Sequence, residues 1–117
     1  MTNRFLCVAL ALLALAGCAS DPAPTEQLRL TEQALAQAKA VGADEHVAEL
    51  KLAEEKLLQA QAAMAEESFK EARMLAEQAE LDARLAEARV LTQKSQDQLT
   101  ELNNRINRLR LQLRDLQ

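Results

Sequence analysis

Two thiols, one imidazole and a few close-set carboxylates are the residues of this 117-residue chain whose types could do chemistry. Cys18 follows Leu15-Ala16-Gly17, and its thiol can carry a thioether, which survives where an ester would hydrolyse. Cys7 lies inside the apolar run Phe5 to Leu15. With both cysteines spent near the N-terminus, the remaining chain has no thiol for a disulfide, redox couple or metal site. His46 is the single histidine, and beside Asp44 and Glu45 it reads as a solvated residue at a helix start, where acids are favoured. Glu54-Glu55 and Glu66-Glu67 are adjacent acids, and helical neighbours one apart do not share a face. General acid–base catalysis needs carboxylates converging in a pocket that shifts their pKa. A glycine-rich phosphate loop, H-E-x-x-H, C-x-x-C, G-x-S-x-G or EF-hand loop is equally missing. The expectation is a non-enzyme with no catalytic residues, no metal site and no dissociable cofactor.

The N-terminus has the layout of a signal peptide: Arg4, then the apolar run Phe5 to Leu15, then small residues. That run is shorter than the roughly 20 residues of a spanning helix. An ordinary secretory signal with an incidental cysteine is the bland alternative. Leu15-Ala16-Gly17-Cys18, however, resembles the lipobox of bacterial lipoproteins. The resemblance implies that Leu15, Ala16 and Gly17 are recognised by the signal peptidase and that residues 1–17 are removed. Cys18 then becomes the first mature residue and carries a covalent N-terminal lipid. Multiple acyl chains make such an anchor stable, since each buried CH₂ contributes about 0.8 kcal/mol and one chain holds only marginally. Ala19 rather than aspartate follows Cys18, which by the same resemblance implies sorting to the outer membrane, facing the periplasm.

The remaining chain is one domain at most and is built from Ala, Leu, Glu, Gln, Lys and Arg, the strongest helix formers. Phe69 is its single aromatic, which disfavours base stacking, sugar platforms and most small-molecule pockets. Eighteen acids against fourteen bases leave a net charge of −4, so nucleic acid is not an expected partner. The composition belongs to long helices or coiled coils. The expected fold is therefore all-α: a helical hairpin or three-helix bundle with a long C-terminal coiled-coil helix.

Residues 18–24 read as the lipidated cysteine and an extended tether, stiffened by Pro22 and Pro24. A bundle is expected over 25–92. Its first helix runs from about 25 to 41, capped by Thr25, with Leu28, Thr31, Leu35 and Ala38 on one face and Gly42 beyond its end. A second, from about 44 to 64 with Asp44 as N-cap, buries Val47, Leu50, Ala53, Leu57, Ala60 and Met64, widened by Leu52 and Leu58. Ser68 and Glu71 form an S-x-x-E capping box ahead of a third helix from 68 onward. A tight turn over Ala65–Glu67 is favoured there, with one unbroken rod as the alternative. The third helix presents Phe69, Ala72, Ala76, Ala79, Ala83, Ala86 and Val90 to the second, alanine allowing close approach while leucines opposite fill the space. Met74, Leu75, Leu81, Leu85 and Leu91 lie to one side, as a surface for the first helix.

Residues 93–117 form a coiled-coil extension. Leu99, Leu102, Ile106, Leu109, Leu113 and Leu116 keep an a/d heptad spacing, and Thr92 and Ser95 occupy the seam positions just upstream. Unbroken from Ser68 to Gln117, this helix would be roughly 75 Å long at about 1.5 Å per residue. The first two, at roughly 25–30 Å each, cover only its first half. The Leu99–Leu116 seam is thus an expected association surface, and Thr92–Gln98 a boundary and hinge. Charge divides the same way: between Asp44 and Val90 twelve acids face six bases, whereas from Leu91 onward five bases face three acids. Solvated faces with pairs such as Glu80–Arg84 account for this; the sharper reading is a basic tail meeting the acidic hairpin of another copy.

The stretches Glu49-Leu50-Lys51-Leu52-Ala53-Glu54-Glu55-Lys56-Leu57 and Ala72-Arg73-Met74-Leu75-Ala76-Glu77-Gln78-Ala79-Glu80-Leu81-Asp82-Ala83-Arg84-Leu85-Ala86 resemble an uncharacterised family of small proteobacterial lipoproteins, known only as a domain of unknown function. The resemblance covers nearly the whole mature chain and implies a helical envelope lipoprotein without an assigned activity. Some members are encoded beside, or fused to, OmpA-like domains, which implies an OmpA-like or peptidoglycan-associated partner. The chain also resembles the murein lipoproteins, lipid-anchored coiled coils ending in a lysine linked to peptidoglycan. Here the end is Arg114-Asp115-Leu116-Gln117, without an acceptor for that linkage. The leading expectation is a non-enzymatic outer-membrane lipoprotein with a structural or scaffolding role through self-association or a helical envelope partner. The alternative is an accessory subunit that localises or activates a cell-wall enzyme or envelope transport complex. Membrane binding by the basic tail is weaker, because the apolar stripe is narrow and lacks an anchoring aromatic.

Overall fold

The computed structural model describes residues 21–116, an all-α arrangement of three helices: α1 Thr25–Ala40, α2 Ala48–Ala65 and α3 Phe69–Asp115. The lipobox residues Leu15, Ala16, Gly17 and Cys18, with the rest of the signal segment, lie outside the described residues. The ends of α1 and α2 close in the same way. At the end of α1, Gly42 N–H donates to Lys39 O and Ala43 N–H to Ala38 O, with Gly42 at φ 101°. At the end of α2, Glu67 N–H donates to Met64 O and Ser68 N–H to Ala63 O, with Glu67 at φ 59°. Each is a Schellman closure, which satisfies two carbonyls left over by the helix end. The chain therefore turns at Glu66–Ser68, and α2 and α3 form a hairpin rather than one rod.

Three capping expectations are corrected. Pro24, not Thr25, takes the N-cap position of α1, and no side chain caps it. Asp44 does not begin α2: its carboxylate accepts from His46 N–H at 2.9 Å and its carbonyl from Val47 N–H at 3.0 Å. That closes a separate turn, and the helix starts at Ala48. Ser68 holds the N-cap position of α3 without a side-chain bond. Its backbone N–H, which a capping box would give to Glu71, is already spent on Ala63 O.

α3 packs against both other helices and α2 makes the larger contact, while α1 and α2 touch least. Salt bridges Arg89–Glu49 at 2.8 Å and Lys56–Asp82 at 2.6 Å fix the antiparallel register of α2 on α3. That register sets Ala53 level with Ala86 and Ala60 level with Ala79. Ala72, Ala76, Ala79, Ala83 and Ala86 are all completely buried, as their spacing predicts. The facing helix differs from expectation: Ala53, Ala60, Ala63 and Leu50 are buried, while Leu57, Val47 and Met64 are half-buried. Alanine meets alanine, so the backbones close the gap that leucines were expected to fill.

Candidate association surface

α1 docks on the same alanine face. The Thr31 hydroxyl, fully buried, lies 2.8 Å from the Ala76 carbonyl oxygen of α3 and 2.9 Å from Gln27 O. Its single proton serves one acceptor at a time. Ala34, Leu35 and Ala38 join Ala83 and Ala86 in one cluster. Two polar contacts fasten the ends of α1. Gln27 Nε2 donates to Glu80 Oε2 at 2.6 Å, and Lys94 Nζ donates to Val41 O at 2.6 Å, placing a cation at the carbonyl end of the helix. The Gln27 hydrogen bond holds the Glu80 carboxyl below its ordinary range, helped by Arg84 and opposed by burial. Thr31 was legible as a stripe position but not as a hydrogen bond between helices. A lone hydroxyl inside an apolar stripe facing alanines is the signal that could have found it.

Because α1 takes the alanine face, the leucines set aside for it stay outside. Met74 is 50% exposed, Leu81 66%, Leu85 53% and Leu91 45%, with Leu75 half-buried. Leu52 and Leu58 do not widen the buried stripe either, at 46% and 66% exposed. The α3 leucines stay outside because a leucine layer would hold α1 too far out for Thr31 to reach Ala76 O.

Helix α3 runs through Thr92–Gln98 without a break. The division shows in burial instead, since every described residue beyond Val90 is exposed. All six seam residues share this: Leu99, Leu102, Leu109 and Leu113 are 54–64% exposed, Ile106 37% and Leu116 84%. They line one side of a straight α-helix that has no partner helix among the described residues.

At the opposite end, the tether is not free. Arg73 donates to Pro22 O at 3.1 Å, and Pro24 is buried. Asp21 then borders an open groove of about 860 Å³ lined by Phe69, Lys70, Arg73 and Met74. The chain thus enters the fold beside the N-terminus of α3, far from the tail. Adjacent acids stay dispersed: Glu54 pairs with Lys39, Glu55 is exposed, and Glu66 and Glu67 sit in the exposed turn. His46 is exposed in the α1–α2 connection. Among the described residues no cluster of His, Cys, Asp and Glu could hold a metal ion, and no helix is long and apolar enough to cross a membrane.

No curated protein matches this sequence. The crystal structure of a DUF4398 family protein from Pseudomonas aeruginosa PAO1 is similar, at 68% identity and a TM-score of 0.80. The match covers 82% of this chain and 100% of that one. The model of a domain of unknown function, DUF4398, matches residues 26–102, which takes in α1 but for Thr25, all of α2 and nearly three quarters of α3. By that match and that identity, the chain belongs to the DUF4398 family.

Proposed function

We propose that this protein is a non-enzymatic lipoprotein, held on the periplasmic face of the outer membrane by lipid on Cys18, that acts as a scaffold of the cell envelope. Association between helices along the Leu99–Leu116 seam is its working interaction. The carrying observation is six large apolar residues at a/d spacing, all exposed, on a tail that the body does not cover. Such a seam gains its stability only when a second helix buries it. The lipobox resemblance supports the anchor.

The test pairs two substitutions. Leu109→Asp places a charge in the middle of the seam and is expected to abolish association, read by sedimentation of the detergent-solubilised protein, while the helicity of the body is retained. Loss of helicity throughout the chain would overturn the separation of body and seam. Cys18→Ser is expected to move the protein from the membrane to the soluble fraction, and its retention in the membrane would overturn the anchor.

A further inference from the structure

Extended upstream by heptads, the seam positions of the tail do not enter the alanine core. They continue through Ser95, Thr92 and Ala88 onto the outer face of the body and reach Leu85, Leu81, Gln78 and Met74 in the same register. Every one of these positions is exposed. The buried alanines occupy the b and f positions of the same heptads, on the far side of the helix. α3 therefore carries two seams of one period. The inner one is filled by α1 and α2, and the outer one is open from Met74 to Leu116. Leu52 of α2, nearly half exposed, lies level with Leu85 in the register fixed by the interhelix salt bridges and broadens the open seam there.

We infer that the outer seam is filled by a second copy of this chain lying antiparallel, the tail of each copy on the body of the other. This rests on the association reading above and adds its partner, orientation and register. Charge decides the orientation. In a parallel, in-register pair each g residue meets the e residue of the next heptad on the other helix. Glu77 would then meet Asp82, Arg84 would meet Arg89, and Arg105 would meet Arg110, so every contact between two charged residues joins like charges.

An antiparallel pair with Leu109 opposite Leu85 removes all three. It also sets Leu113 on Leu81, Ile106 on Ala88, Leu102 on Thr92 and Leu99 on Ser95, so each small or polar seam residue of one copy meets a large apolar residue of the other. Arg110 comes beside Asp82, whose carboxylate keeps an exposed edge although it already pairs with Lys56. Sliding one heptad in one direction opposes Arg89 to Arg110, and one heptad in the other opposes Arg84 to Arg105. The basic tail thereby lies on the acidic body.

The experiment places a benzophenone amino acid at position 109 of the full chain in its native membrane and identifies the adducts by mass spectrometry. Positions 85 and 109 of one chain lie roughly 36 Å apart on a straight helix, so a link between them must join two copies. The expected product is a dimer joined from position 109 to the Leu85–Arg89 peptide. A link from 109 to the tail of a second copy, or to another protein, overturns the proposal and leaves the association reading standing. No adduct from probes at either 85 or 109 overturns both. Leu85→Asp is expected to lower the dimer adduct at least tenfold without loss of helicity, since Leu85 is exposed in the single chain; an unchanged yield also overturns the proposal.

Discussion

Two residues in left-handed backbone conformations close the two helix ends, and they differ in kind. Gly42 at φ 101° has no Cβ to crowd the preceding carbonyl, whereas Glu67 at φ 59° does. Glu67 is also exposed, with no polar contact of its side chain to hold it in that geometry. Glu67→Gly is therefore expected to raise stability by about 1 kcal/mol in denaturant unfolding. A loss of stability would show that the Glu67 side chain serves the turn. Gly42 was legible because glycine is the usual closing residue; Glu67 was not, because the demand on it comes from the closure of the hairpin. Glu80 makes a pH-dependent contribution. Its pKa is lowered in the folded state, chiefly by Gln27, so its share of stability is present above the ordinary glutamate range and is lost as the pH falls through the lowered value. The stability advantage of the native chain over Glu80→Gln should shrink on acidification from pH 7 to pH 3; an advantage independent of pH would remove Glu80 from that role.

At the scale of the helix, α3 is unusual in offering two stripes with the same repeat, one of alanine and one chiefly of leucine. Burying leucine normally contributes more than burying alanine, by about 25 cal/mol per Å² of apolar surface. The alanine stripe is nevertheless the inner one, because two helices must share it and both bring alanines of their own. Close approach gives the contact its dispersion energy and lets Thr31 reach a main-chain carbonyl across the interface. Overpacking should therefore be felt sharply. Ala79→Leu is expected to cost about 1–3 kcal/mol and to loosen α2 from α3, read as a lower denaturation midpoint. A neutral result would mean that the interface holds space for a larger side chain.

For the whole molecule, the place where the chain enters the fold sets the consequences of pairing. Pro22 is fastened to Arg73 at the start of α3, so the proposed lipid on Cys18 would hold each copy by the end of its body remote from its tail. In the antiparallel pair the two entry points lie roughly 70 Å apart, at about 1.5 Å per residue. With both proposed lipids in one leaflet, the paired rods would lie along the membrane rather than stand away from it. A parallel pair would have stood as a stalk. The orientation of the seam thus decides whether such a scaffold spans distance from the membrane or along it.

Sequence by itself determined the helices, the turns between them, the inner alanine stripe and the tail seam. These follow from propensity, from glycine and small-residue punctuation and from a heptad period, all of which are local. It also carries the whole argument for the lipid anchor at Cys18. Only the tertiary structure decided which stripe of α3 receives α1. Both stripes have the same period, so periodicity could not choose between them; the volumes of the helices packed opposite did. Three helices share one narrow contact only where the side chains of α3 are small, and that leaves the leucines of α3 outside.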